Sequence, residues 1–280
     1  MTEAVTTELL KTILSLGSDH NIELSPLNVD DNIQFKTNSE NQPLYLDIIN
    51  YDSSRKRPLV LFFHGGAWAY GSRKRYRNIS AALAIKADMV CACVDYSLGT
   101  AGQFPKSIAD VDDAIKWARD NANAYGINPD QIVLCGTSAG GNVAALSATQ
   151  ADASTKANLN IFICAPTNFS ALVQYNVVNE AVHQYLNAKP SENPDKYYAA
   201  SPCLHVHSDM SPVLLIHGDK DETVPYQLSL DMQAALQKCS VPVELVTFTD
   251  GPHSFFHEPP NFGKLINSIE QFIRANFCLS

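Results

Sequence analysis

Gly136-Thr137-Ser138-Ala139-Gly140 is the stretch that decides the fold of this 280-residue chain. An apolar run at 131–135 precedes it, and a helical pattern of small residues at 142–150 follows it. This order predicts a strand, a sharp turn and a helix, the setting of a serine nucleophile in a G-x-S-x-G motif. The glycines let the backbone turn tightly, so the turn presents the Ser138 hydroxyl at its tip.

Length and composition favour a single α/β domain over residues 1–280. Hydrophobic residues make up 45% of the chain and charged residues 18%, which excludes a disordered protein. The formal net charge of −9 argues against nucleic acid or an anionic membrane as partner. Because the sequence shows no signal peptide and no 18-residue apolar run, we expect a cytoplasmic protein without a membrane span. A homodimer is compatible with the sequence.

The seven cysteines predict buried free thiols, because their number is odd and most lie in apolar runs. Cys91 and Cys93 are two apart on a strand pattern and are expected on one face. No C-x-x-C occurs, so we expect no zinc site. The serine chemistry that the motifs predict needs no metal and no cofactor.

Apolar runs alternate with helical patterns, which predicts a parallel sheet with helices on both faces. The predicted strands are 44–48, 59–63, 89–94, 131–135, 159–164, 213–216 and 242–248. The predicted helices are 72–85, 104–125, 142–150, 226–238 and 264–276, after an N-terminal helical segment within 1–30.

Residues 167–210 break this alternation. They contain a helical stretch at 173–186 and a polar, proline-marked loop at 189–196, but no strand pattern. Ligands of open α/β sheets bind beyond the carboxyl edge of the strands. We therefore expect a small cap insertion over that edge, with an ordinary long connection as the alternative.

Two loops downstream of Ser138 carry candidate partners for its hydroxyl. Asp219 and Asp221 follow one predicted strand, and His253 follows the next. A serine nucleophile needs an adjacent base that a carboxylate orients, and the order Ser, acid, His is one that such enzymes use.

His64-Gly65-Gly66-Ala67-Trp68 directly follows another predicted strand. Glycine there allows the backbone to approach a substrate closely. We expect an oxyanion hole formed by Gly65, Gly66 and Ala67, with the amides of Gly66 and Ala67 pointing inward and Ala139 completing it.

Four motifs together resemble the esterase and lipase group of the α/β-hydrolase fold. They are H-G-G-A-W at 64–68, D-Y-S-L at 95–98, G-T-S-A-G-G at 136–141 and D-E-T-V-P at 221–225. The resemblance is to the branch near hormone-sensitive-lipase-like and BD-FAE-type esterases, and it covers 44–277. It implies a mostly parallel eight-stranded sheet with helices on both faces and a small cap insertion.

The resemblance implies that Ser138 is the nucleophile, Asp221 the acid and His253 the base. Trp68 and Tyr70 are candidates for the substrate pocket. The chain departs from the family pattern at Ser97, where an arginine often stands, and at Ala67, where the hormone-sensitive-lipase branch has a third glycine. The methyl group of Ala67 is expected to narrow the pocket.

Other side chains near the motifs compete for these roles. We expect Asp219 to make a loop hydrogen bond and Glu222 to be solvated. His257 is expected on the surface, and His64 is expected to brace the oxyanion loop. Packing or surface positions are expected for the remaining histidines of interest, His205, His207 and His217.

The sequence thus predicts a serine carboxylic ester hydrolase that forms an acyl-enzyme with small or short-chain esters, including acetylated or feruloylated carbohydrate. An amide hydrolase of the arylformamidase type would use the same triad. A third reading, a non-catalytic binding module of this fold, is weaker because all three triad residues are present.

Overall fold

The computed structural model describes residues 3–16, 24, 27–174, 180–257 and 259–279. These described residues form one eight-stranded sheet in the order β1-β2-β4-β3-β5-β6-β7-β8. Strand β2 runs antiparallel to both neighbours, and every other pairing is parallel. The strands are β1 (Val29–Thr37), β2 (Pro43–Ile49), β3 (Arg57–Phe63), β4 (Val90–Val94), β5 (Ile127–Thr137), β6 (Leu159–Ile163), β7 (Val213–Gly218) and β8 (Val243–Phe248). The mostly parallel eight-stranded sheet is confirmed.

Helices cover both faces of this sheet. They are α1 (Glu3–Leu16), α2 (Arg77–Ala87), α3 (Lys106–Asp120), α4 (Ala122–Tyr125), α5 (Ala139–Gln150), α6 (Phe169–Gln174), α7 (Glu180–Leu186), α8 (Pro194–Ala199), α9 (Gln227–Lys238) and α10 (Asn261–Phe277). No helix in the described part of the chain is long and apolar enough to cross a bilayer.

Alternation along the strands divides the core into two layers, because successive side chains of a strand point to opposite faces. In β3, Leu59, Leu61 and Phe63 pack in the layer beneath α3, α5 and α9. Val60 and Phe62 pack in the other layer, beneath α1, α2 and α10. The sheet is therefore buried on both faces, as the continuous apolar runs predicted.

The cysteines follow the same division. All seven are free thiols, and Cys91 and Cys93 share one layer, as predicted. Burial raises the pKa of Cys93 to about 12, so this thiol stays protonated and inert at neutral pH.

The sequence patterns missed β1. Its sequence, VDDNIQFKT, lies at an edge of the sheet, and none of its residues is fully buried. Asn32 has a φ of 59°, and the pairing with β2 is irregular on both sides of Ile33 and Gln34. The predicted N-terminal helical segment is right for α1, but β1 already begins at Val29. Residues 17–23 and 25–26 of that segment lie outside the described residues.

A cation from strand β1 lies beside the turn that contains Ser97. The backbone N–H of Ser97 donates to Asp110 Oδ2 at 2.8 Å. Lys36 Nζ of β1 lies 2.8 Å from Asp110 Oδ1 and 2.7 Å from Asp113. Although Ser97 carries no charge, the carboxylates of Asp110 and Asp113 are paired, because Lys36 reaches them from the edge strand.

Arg73 ties the edge strands to the chain that follows the H-G-G-A-W motif. This arginine is buried, and its Nε donates to Asp47 Oδ1 of β2 at 2.8 Å. The same guanidinium also hydrogen-bonds Asp95, after β4, and Asn32 of β1. The buried guanidinium of Arg73 thus connects β1, β2 and the segment after β4.

We expect Asp47→Ala to lower the free energy of unfolding by about 3 kcal/mol, because it leaves the buried Arg73 without its partner on β2. Urea denaturation measures this loss. Asp31→Ala is the matched control, since Asp31 is exposed and pairs with Arg77 at 3.0 Å. Its expected cost is about 0–1 kcal/mol. Equal losses in the two variants would contradict the structural role of the buried pair.

Candidate active site

Ser138 lies at the junction of β5 and α5, in the strand–turn–helix arrangement that its motif predicted. Its φ of 53° and ψ of −120° are costly for a residue with a side chain, and such strain is typical of functional sites. The glycines of the motif allow α5 to approach the sheet this closely. A Cβ on Gly140 would lie 2.4 Å from the carbonyl oxygens of Phe63 and His64, and one on Gly136 would lie 2.4 Å from the carbonyl oxygen of Gly140.

The three residues of the predicted triad are connected by hydrogen bonds. Ser138 Oγ lies 3.0 Å from His253 Nε2, and His253 Nδ1 lies 2.6 Å from Asp221 Oδ2. The backbone N–H groups of Thr223 and Val224 donate to Asp221 Oδ1 at 2.9 and 2.8 Å. The loops after β7 and β8 thus bring an acid and a base to the serine at the carboxyl edge of the sheet. This is the geometry that a nucleophile, a general base and an orienting carboxylate require.

His217 is a fourth member of this network, and the sequence reasoning missed it. Its Nε2 lies 3.0 Å from Asp221 Oδ2 and 2.9 Å from the carbonyl oxygen of Val224. Both atoms are acceptors, so Nε2 carries the proton and donates to them. Nδ1 lies 2.7 Å from Ser229 Oγ. The expectation of a packing or surface position is therefore incomplete, because the fully buried His217 also holds the acid. Its place four residues before Asp221, in the same strand-to-loop segment, was the available signal.

The contacts of the triad shift the pKa values of its acid and base in opposite directions. Burial raises the pKa of Asp221, but the hydrogen bonds from His217 and His253 outweigh it and hold this pKa well below its usual range. Burial lowers the pKa of His253, but the adjacent Cys164 sulfur and the Asp221 carboxylate outweigh it and raise this pKa. Asp221 is therefore ionised at neutral pH and stabilises an imidazolium at His253.

The competing carboxylates lie where the sequence analysis expected them. Asp219 Oδ1 accepts the backbone N–H of Asp250 at 2.7 Å, which is a hydrogen bond between two loops. Glu222 is exposed. Neither is placed to orient His253, because Asp221 already occupies its Nδ1.

Four further histidines near the motifs lie in different surroundings. His64 is buried and its Nδ1 lies 2.8 Å from the Gly65 carbonyl, so it braces the oxyanion loop as expected. Burial lowers its pKa, which keeps it neutral. His205 hydrogen-bonds the Tyr198 carbonyl and His207 is exposed. The surface position expected for His257 is wrong, since this residue is half-buried and lines a cavity beside Ser138.

The loop after β3 is a tight turn with an unusual backbone conformation. Gly66, Ala67 and Trp68 all have positive φ angles, of 132°, 52° and 58°. The N–H groups of Ala69 and Tyr70 donate to the Gly66 carbonyl at 3.1 and 2.9 Å and close the turn. Such angles are costly for Ala67 and Trp68, as is common where a loop serves a site.

The backbone amides near Ser138 refine the predicted oxyanion hole. Gly65 N–H donates to the Tyr76 hydroxyl at 3.2 Å, so the inclusion of Gly65 as a donor is corrected. Within the described part of the chain, the N–H groups of Gly66, Ala67 and Ala139 have no acceptor. Ala139 also begins α5, whose N-terminus carries partial positive charge.

Two cavities meet at Ser138. The smaller one, of about 60 Å³, has mainly apolar walls that include Trp68, Leu172 and Val182. The larger one, of about 330 Å³, is more polar and contains Tyr70 and His253. A leaving oxygen must face His253 Nε2 to receive its proton. We therefore expect the larger cavity to face the leaving group of a bound ester and the smaller one to face its acyl group. Trp68 lines the smaller cavity and Tyr70 the larger one, and their role as substrate-pocket residues stays a prediction.

The segment predicted as a cap contributes to the smaller cavity. Residues 167–210 contain α6, α7 and α8, and their described part has no strand. Leu172 of α6 and Val182 of α7 line the cavity wall. Tyr185 of α7 stacks on Trp68, with ring centroids 4.4 Å apart. Residues 175–179 lie outside the described residues.

One group of metal-ligating atoms occurs among the described residues. Cys164 Sγ, a carboxylate oxygen of Asp221 and a ring nitrogen of His253 lie within 4.8 Å of one another. Two of these residues are already hydrogen-bonded in the triad, and the Cys164 thiol donates to the His253 carbonyl at 3.8 Å. The hydrogen bonds of the triad therefore account for this cluster.

The order of the sheet, the sharp turn at Ser138 between β5 and α5 (the nucleophile elbow) and the triad together define an α/β-hydrolase fold with a serine-hydrolase site. The BD-FAE family matches residues 46–236, and the chain belongs to this family of α/β-hydrolase esterases. The esterase LipQ of Mycobacterium tuberculosis is 29% identical over an alignment of 216 residues, which covers 72% of this chain and 51% of LipQ. The chain thus spans about half the length of this relative.

Solved structures agree with this fold. A truncated carbohydrate esterase from gut microbiota has a TM-score of 0.77 at 19% identity, covering 89% of this chain and 96% of that one. The butyrate-bound esterase Est2 of Thermogutta terrifontis has a TM-score of 0.72 at 26% identity, covering 90% and 95%.

We expect the reactivity of Ser138 to fall with decreasing pH at a pH above the usual histidine pKa of about 6.5. The base acts only when neutral, and the raised pKa of His253 means that the neutral imidazole is lost at a higher pH than usual. Asp221→Asn removes the charge that helps to raise this pKa. It should move the acid limb of kcat/KM for p-nitrophenyl acetate to lower pH and reduce the rate by about 10⁴-fold.

Asp219→Asn is the control for this profile, because Asp219 contacts only the neighbouring loop. It should leave both the rate and the acid limb nearly unchanged. An acid limb that stays in place in Asp221→Asn would contradict the assignment of the acid.

Proposed function

We propose that this protein is a serine carboxylic ester hydrolase that forms an acyl-enzyme on Ser138 and acts on small or short-chain esters. The observation that carries the proposal is the hydrogen-bonded series Ser138, His253 and Asp221, which opens into two cavities of unequal size. Membership of the BD-FAE family and the named esterases among the similar proteins support it.

Each group of the site has a proposed role in the reaction. Ser138 Oγ attacks the ester carbonyl while His253 Nε2 takes its proton, and Asp221 stabilises the imidazolium. The amides of Gly66, Ala67 and Ala139 stabilise the oxyanion, each contributing about 10²–10³-fold in rate in comparable sites. His253 then protonates the leaving alcohol, and water repeats the cycle to release the acid.

The acyl side of the site favours a short chain. Its cavity of about 60 Å³ ends at Trp68, which is stacked on Tyr185. Behind this stack lies a separate cavity of about 150 Å³, and Ala67, Trp68 and Ala181 line both. The buried indole is therefore the partition that ends the acyl cavity. The butyrate bound by Est2 supports a short acyl group here.

The leaving-group side has room for a larger polar alcohol. Its cavity of about 330 Å³ includes the hydroxyl-bearing Tyr70, Thr223 and Ser254. The similar fold of a gut-microbiota carbohydrate esterase supports a carbohydrate as one such alcohol. Among carbohydrate esters, the small acyl cavity favours acetyl over feruloyl groups. The finer predictions from sequence, a cytoplasmic location, a homodimer and no nucleic-acid partner, stay predictions.

The two other candidate functions make different predictions. A formyl group also fits the small acyl cavity, so an arylformamidase would use the same residues and is tested directly with its substrate. A non-catalytic binding module needs no connected triad, whereas the three side chains are within hydrogen-bonding distance here.

We expect Ser138→Ala to abolish hydrolysis of p-nitrophenyl acetate and labelling by a fluorophosphonate, because both reactions need the serine oxygen. Ser254→Ala is the matched control, since Ser254 lines the same cavity next to His253 and should leave labelling intact. A higher kcat/KM for p-nitrophenyl acetate than for N-formylkynurenine supports the esterase. A wild-type protein that neither hydrolyses acetyl esters nor is labelled would contradict it.

We expect wild-type kcat/KM to fall steeply beyond butyrate in a series of p-nitrophenyl esters from C2 to C12. Trp68→Ala should shift the preference to longer chains by joining the two neighbouring cavities, and Tyr185→Ala tests the same partition from α7 without altering the oxyanion loop. Trp117→Ala is the control, because Trp117 packs on Tyr125 with ring centroids 5.6 Å apart and lines neither cavity. An unchanged profile in both partition variants would contradict the acyl assignment.

A further inference from the structure

The wall of the larger cavity carries a positive charge, in contrast to the acidic protein as a whole. The chain is acidic, with a formal net charge of −9. None of the described residues that line the larger cavity is an aspartate or a glutamate, whereas Arg75 stands in its wall. The leaving-group side of the site is therefore more positive than the protein as a whole.

Within the described part of the chain, Arg75 is the one arginine whose guanidinium has no hydrogen-bond or ion-pair partner. Its backbone N–H donates to the carbonyl of Ser72. The six other arginines all have a carboxylate or carbonyl partner: Arg55 and Arg57 with Asp88, Arg73 with Asp47, Arg77 with Asp31, Arg119 with Ser154 and Arg274 with Glu270. Arg75 is thus free to pair with a bound molecule.

The surroundings of Arg75 are fixed although its side chain is exposed. It lies in the 3-10 turn Arg73–Tyr76, whose first residue is buried in the ion-pair network with Asp47. The last residue, Tyr76, is buried and accepts the Gly65 N–H of the oxyanion loop. The backbone of the turn is therefore held on both sides of Arg75, so the guanidinium starts from a defined place in the cavity wall.

We propose that the leaving-group cavity recognises esters whose alcohol carries a carboxylate, which pairs with Arg75. This inference rests on the proposed ester hydrolysis and names the class of its leaving group. A planar guanidinium matches a carboxylate with two parallel hydrogen bonds, and no lining carboxylate competes for it within the described residues. Tyr70 and Ser254 offer hydroxyl groups to the rest of the alcohol.

The test compares two acetyl esters of the same shape, 3-acetoxybenzoate and 3-acetoxybenzamide. The kcat/KM for the benzoate divided by the kcat/KM for the benzamide measures the contribution of the carboxylate. Arg75→Gln should lower this ratio by about two- to fivefold, the range for an exposed ion pair, mostly through KM. The kcat/KM for the neutral ester, 3-acetoxybenzamide, should be the same in this variant as in the wild type. Added salt should lower the ratio in the wild type but not in Arg75→Gln.

Lys74→Gln is the matched control. Lys74 is exposed, carries the same charge and precedes Arg75, but it does not line the cavity. It should leave the ratio nearly unchanged. A ratio that is the same in the wild type and Arg75→Gln, or one that falls equally in Lys74→Gln, would overturn the carboxylate site while leaving ester hydrolysis intact. Hydrolysis of neither ester by the wild type would overturn both the proposed function and this inference.

Discussion

The site depends on the hydrogen bonds that hold the buried carboxylate of Asp221. Its Oδ1 accepts two backbone amides, and its Oδ2 accepts His217 and His253. A buried charge is tolerated only when such partners replace water, and here they keep the carboxylate ionised. Because His253 is one of those partners, the bonds that stabilise the acid also aim the base at Ser138. The loops after β7 and β8 are thereby fixed relative to the elbow.

Part of the backbone strain of this protein lies around the same point. Ser138, Ala67 and Trp68 all have positive φ angles, and each lies where a strand of the sheet gives way to the site. Close packing maintains these conformations, since Gly140 brings α5 against the carbonyl oxygens at the end of β3. On the other side, the ion pairs of Arg73 hold the chain that follows the oxyanion loop. The strained turns thus bring the Ser138 hydroxyl and the amides of the proposed oxyanion hole to one small volume.

Much of this arrangement could be predicted from the sequence. The buried strands are continuous apolar runs, and the elbow, the oxyanion loop and the triad are local motifs at strand ends. Strand β1 was missed because only Ile33 and Phe35 of its middle part alternate with polar residues, which is a short pattern in a mostly polar edge sequence. Its place also comes from contacts of Asn32 and Lys36 with distant residues. The amide of Gly65 was misjudged because its partner, the Tyr76 hydroxyl, belongs to another element. His217 was misjudged although its partner Asp221 is only four residues away, because the sequence does not show that the strand-to-loop turn brings the two side chains together.

The central claim, that Ser138 is the nucleophile of a two-step reaction, is tested most directly by trapping the acyl-enzyme. Mixing the protein with p-nitrophenyl butyrate, quenching in acid within the first turnover and mapping the peptides by mass spectrometry locates the acyl group. The account predicts a burst of p-nitrophenol and one butyryl group on the peptide that contains Ser138. Turnover without an adduct on that peptide, or with the adduct on another residue, would contradict it.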